Sequence, residues 1–86
     1  MGTKKEELER ASLGMGALGE ASDDEPTFIL RAQDKLAALT VRHWANLVEA
    51  ATDPDSPSRA KVAGARELAR KMDVWRDAHG GGKIPD

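Results

Sequence analysis

Between residues 53 and 57 the chain reads Asp-Pro-Asp-Ser-Pro, and this turn cluster constrains the fold more than any other feature. A proline keeps the residue before it away from helical angles and lacks the amide that a helix interior uses. A helix arriving at Thr52 therefore stops, and a new one can start at Pro57 with Ser56 as its N-cap. Both flanks carry a helical period. Upstream, Ala37, Val41, Trp44, Val48 and Ala51 form one stripe, widened by Leu36, Thr40 and Leu47. This predicts an amphipathic helix over about 35–52, with Asp34 as its N-cap. Downstream, Val62, Ala65, Ala69, Met72 and Trp75 or Arg76 hold the stripe beside Leu68, which predicts a helix over about 57–78. Two such helices joined by a short loop make an αα-hairpin. The expected class is a small all-α domain.

The core available to that hairpin is thin. Leu, Ile, Val and Phe fill only 15 of 86 positions, while Ala fills 14. That is less than the roughly one-fifth below which a chain struggles to fold alone, although a net charge of −2 argues against full disorder. One small domain over 26–79 is expected, too small to wall a large enclosed pocket. Ala37, Ala45, Ala51, Ala65 and Ala69 would let the helices approach closely. Trp44, Leu47, Val48, Val62, Leu68 and Met72 are the expected core, with Trp44 and Trp75 clamping it. On this reading Trp44→Ala costs several kcal/mol and unfolds the domain.

The first 25 residues differ in character. They carry a net charge of −4, against +2 for residues 26–86. Thr3-Lys4-Lys5-Glu6 is a capping-box pattern, and Leu8, Ala11, Met15 and Leu18 continue a narrow stripe. The glycines at 14, 16 and 19 oppose a helix. The expectation is a marginal helix over about 3–13 that frays through the glycines into an acidic linker, the whole forming a flexible arm. Next, Thr27-Phe28-Ile29-Leu30 is the one β-branched and aromatic run, an extended strip over about 27–31. Phe28 and Leu30 would fill the mouth of the hairpin, with Ile29 outward. Residues 80–86 are expected to be a flexible tail after the Gly80-Gly81-Gly82 stop.

Few chemistries fit these residues. Without cysteine there are no disulfides, thiolate metal sites or cysteine nucleophiles, and so small an unstapled domain points to an intracellular setting. His43 and His79 lack metal-ligand spacing. Gly80-Gly81-Gly82 has neither a strand before it nor a helix after it, as a phosphate loop requires. Asp53-Pro54-Asp55 opens like a calcium loop, but Pro57, Ser58 and Gly64 occupy positions that need a ligand, a glycine and a bidentate glutamate. No apolar run approaches a membrane span or a signal-peptide core. The expectation is no catalytic residue, no cofactor and no metal. Arg59, Arg66 and Arg70 share one side of the later helix, as a DNA-reading helix would require. Glu67, Asp73 and Asp77 dilute that charge, and a solvated mixed-charge face is preferred to a nucleic-acid site.

The stretch Glu25-Pro26-Thr27-Phe28-Ile29-Leu30-Arg31-Ala32-Gln33-Asp34, followed by Val41-Arg42-His43-Trp44-Ala45 and by Lys83-Ile84-Pro85-Asp86, resembles a pattern in short helical proteins of bacteriophages, prophages and plasmids of GC-rich bacteria. The resemblance covers about residues 25–86. Similar proteins place Pro near position 38, where this chain has Ala, so the helix start falls between 35 and 39. The resemblance implies a phage-type setting and carries over no functional residues.

These features favour a non-enzymatic protein-interaction module acting on a host or virion protein, over a nucleic-acid-binding protein or a self-assembling one. Three surfaces offer themselves to a partner protein or a second copy: Leu8, Met15 and Leu18 on the arm, Phe28 and Ile29 on the strip, and Arg59, Arg66 and Arg70 on the later helix.

Overall fold

A computed structural model describes residues 1–84 and shows a small all-α protein. Its helices are α1 (Lys4–Ser12), α2 (Gly16–Glu20), α3 (Ala37–Ala51) and α4 (Ala60–Ala78), the last entered through a 3-10 turn at Pro57–Arg59. α3 and α4 pack against each other as the expected hairpin, and α1 packs on α2. Pro85 and Asp86, the end of the expected tail, lie outside the described residues.

The turn cluster acts as its chemistry requires. The Ser56 hydroxyl accepts from the Ser58 amide, and Pro57 sits in the first turn. At the other end of α3 the structure departs from a simple N-cap. The Asp34 carboxylate accepts from the Leu36 amide at 2.7 Å, but it caps a turn rather than the helix, which begins at Ala37. The start lies inside the 35–39 window.

The core is built of alanine. Ala37, Ala38, Ala45, Ala65 and Ala69 are buried together with Val62 and Met72. They form two clusters along the hairpin, bordered by Leu30, Ala32, Val41, Val48 and Leu68. Trp44 and Leu47 are not core residues, being 42% and 55% exposed, and Trp75 is 45% exposed. The reason is geometric. Methyl-sized side chains bring the two helices close, and an indole has no room between them. The tryptophans lie outside that contact and do not clamp it. The Thr27–Leu30 strip is irregular chain rather than a strand. Leu30 packs on the core as expected, but Phe28 is 83% exposed and fills no mouth; Ile29 faces outward.

Glycines build turns that periodicity alone reads as breaks. α1 opens with the expected capping box between Thr3 and Glu6. It ends where the Met15 amide bonds back to the Arg10 carbonyl and Gly14 takes φ +71°, a left-handed helix stop. The chain then turns into α2 instead of fraying. A Cβ at Gly19 would lie 2.8 Å from the Gly14 backbone, so α2 owes its contact with α1 to that missing carbon.

The same device closes α4. The amides of His79 and Gly81 bond to the Arg76 carbonyl, and Gly80, Gly81 and Gly82 all have positive φ. The chain hooks back rather than trailing away. Lys83 donates to the Gln33 carbonyl at 2.8 Å and accepts from the Lys35 amide at 2.9 Å, making a parallel bridge between residues 34 and 83. Through residue 83, part of the expected tail thus makes a tie across the open end of the hairpin.

Two glycines on α4 and its hook should respond in opposite ways. A Cβ at Gly64 meets nothing within 4 Å, so Gly64→Ala should raise stability by about 1 kcal/mol through helix propensity. A Cβ at Gly82 would sit 2.6 Å from the Gln33 oxygen at φ +77°, so Gly82→Ala should lower it. Urea titrations of both variants, followed by circular dichroism, check the two signs.

Candidate functional site

The hairpin has two unlike faces. On one, charged side chains link α3 to α4. Asp73 bridges Arg42, through a charge-assisted hydrogen bond, and Arg76 at 2.8 Å. Arg66 donates to the Glu49 carboxylate at 3.1 Å and to the Asn46 side chain at 3.0 Å. Arg59 reaches back over the turn cluster to the end of α3. Its guanidinium donates to the carbonyls of Glu49 and Thr52 at 2.7 and 2.6 Å, and to the Thr52 hydroxyl. A helix leaves its last carbonyls without internal partners and partly negative, and Arg59 supplies what they lack.

The three arginines singled out from sequence are thus brought together along one open groove with Glu49 and Glu67. Each already has an acceptor. Arg70 donates to Glu67 at 2.6 Å. Arg66 and Arg70 are paired with carboxylates, whereas Arg59 meets the partly negative end of α3. Hydrogen bonding by Arg66 holds the Glu49 carboxyl below its ordinary pKa, and Arg70 does the same for Glu67. Asp73 is lowered by its bond from Arg42, reinforced by the charges of Arg42 and Arg76.

The other face is apolar. α3 has just two charged side chains, Arg42 and Glu49, and both point to the ionic face and pair with α4. At about 100° per residue, Leu36, Thr40, Trp44, Leu47 and Ala51 fall within an arc of roughly 80° on the outer side. All five are exposed. The Thr40 hydroxyl is turned inward to the Leu36 carbonyl at 2.8 Å, which leaves its methyl to the outside. On α4 the indole of Trp75 stacks on the His79 ring at 3.8 Å, and His79 Nδ1 donates to the Trp75 carbonyl.

Periodicity assigns Leu36, Thr40, Trp44, Leu47 and Ala51 to the inner stripe because α3 is apolar over most of its circumference. Periodicity finds one stripe readily and separates two adjoining ones badly. The signal that could have found the outer row is the absence of charge: from Leu36 to Ala51 nothing charged interrupts it. The arm residues Leu8, Met15 and Leu18 are about half exposed and stand on α1, the intervening turn and α2, not on one continuous helix. Phe28 and Ile29 remain exposed on the irregular strip. Neither α1 nor α2 packs against α3 or α4, so these apolar positions do not merge with the α3 row through helix packing.

Among the described residues no group of three or more His, Asp or Glu side chains is gathered as a metal cage, and no helix is long and apolar enough to cross a membrane. No protein-family model, curated protein or solved structure matches the chain.

The ionic face gives a pH signature with a definite sign. Asp73, Glu49 and Glu67 have lowered pKa values in the folded state. The stability they add is present above the ordinary carboxylate pKa of roughly 4 and is lost as pH falls through the lowered values. Asp73→Asn should therefore lower the Tm at pH 7 and flatten its fall in acid. Thermal melts between neutral pH and about pH 2 check this.

Proposed function

We propose that this chain is a non-enzymatic protein-interaction module whose docking surface is the outer row of α3. One observation carries the reading. A helix that is apolar around most of its circumference normally has cover on all sides, and among the described residues α3 has cover on one side only. Leu36, Trp44 and Leu47 are each between 42% and 55% exposed. Isolated exposed leucines need no explanation, whereas a contiguous apolar patch rimmed by polar groups marks an interaction site. Trp44 at the middle of the row has the size and amphipathic edge typical of interface anchors.

The same geometry disfavours a nucleic-acid role for Arg59, Arg66 and Arg70. Phosphate binding needs free cationic donors, and here each arginine serves a carboxylate or a helix end. A phage-type setting with a host or virion protein as partner accords with the resemblance of residues 25–86 and belongs to this proposal.

Photo-crosslinking in the cell that expresses the chain tests it. A benzophenone side chain at position 47 should capture a protein, while the same group at position 70, on the ionic face, should not. If position 47 yields no adduct with any protein, this chain included, the reading is overturned.

A further inference from the structure

We infer that the outer row of α3 is matched to itself, and that its occupant is a second copy of this chain lying antiparallel. The inference rests on the docking surface proposed above and names its partner. Two properties of the row support it. First, it has no charge, so a copy of it approaches without like-charge repulsion, although a third of the chain's residues are charged. Second, its side-chain sizes are complementary about its own midpoint. Counting from the centre between His43 and Trp44, an antiparallel copy sets Leu36 level with the second copy's Ala51, Thr40 level with its Leu47, and His43 level with its Trp44. Large residues face small ones at the outer levels, the arrangement that lets facing layers interdigitate.

The two-fold symmetry of such a pair makes every contact occur twice. Trp44 then lies next to the symmetry axis, where each indole meets an imidazole and the other indole. A parallel copy would put Leu36 on Leu36, Leu47 on Leu47 and Ala51 on Ala51, pairing large with large and small with small. α1 and α2 of the same chain are not the occupant, since they pack on each other and make no helix contact with α3.

Light scattering on the full chain, over about 1 μM to 1 mM, should show the mass rising toward twice the 9.3 kDa of one chain. Leu47→Glu should hold it at a single chain with its helical circular dichroism intact, and Arg70→Glu should leave the dimer in place. The chain has no cysteine, so single engineered thiols report the orientation. Thr40→Cys mixed with Leu47→Cys should give the crossed disulfide, and Leu36→Cys alone should give none with itself. A crossed disulfide in the mixture supports the antiparallel pair, and efficient self-pairing by Leu36→Cys overturns it. A single-chain mass at every concentration, or a Leu47→Glu dimer, overturns the inference too. In either case capture of a foreign protein from position 47 would leave the docking surface standing.

Discussion

The close contact between α3 and α4 governs the rest of this structure. It is made by Ala37, Ala38 and Ala45 against Ala65 and Ala69, with Val62 and Met72 at the same level of burial. Small side chains allow a short interhelical distance and good dispersion contact, but each contributes little buried area. Two consequences follow. The larger apolar side chains are displaced to the periphery, and the hairpin needs help at both ends. At the closed end Arg59 gathers the free carbonyls of α3. At the open end the glycine hook ties residue 83 to residues 33 and 35, and Asp73 joins Arg42 to Arg76 just inside it.

The polar links therefore stand where larger side chains would stand in a thicker core. Exposed ion pairs on their own add little. Asp73 is different in degree, because it is more shielded than the other paired acids, at 28% side-chain exposure, and holds two arginines at once. Its neighbours are fixed as well: Arg76 lies beneath Gly82, close enough that a Cβ there would collide with its side chain. Packing and charge act on the same few atoms.

Much of this was legible in the sequence, and the failures share one cause. Pro54 and Pro57 announce the loop, Ser56 the second start, and Thr3 with Glu6 the first. These are local signals, settled by backbone chemistry within a few residues. Val62, Met72 and the alanines were legible as the inner stripe. What misled was size. Trp44 and Leu47 are large and apolar, which by pattern alone places them inside, whereas an alanine-lined contact excludes them. The glycines at 14 and at 80–82 misled in another way, since their left-handed turns depend on hydrogen bonds to Arg10, Arg76 and Gln33 that no period reveals. For the arginines, sequence placed Arg59, Arg66 and Arg70 correctly on one side but could not show their acceptors, which come mostly from α3. Periodicity does not separate the exposed apolar row of α3, because that row adjoins the inner stripe.

An alanine core also shapes how the fold responds to temperature. Heat capacity rises on unfolding chiefly in proportion to the apolar surface that water newly reaches. Here Phe28 and Ile29 are largely wetted before unfolding begins, Trp44 and Leu47 are about half exposed, and the surface released from the helix contact is mostly methyl groups. The change in heat capacity is accordingly small for a chain of this length, and the stability curve of the single chain is shallow. Warming weakens such a fold gradually, and cooling has little hydrophobic attraction to take away.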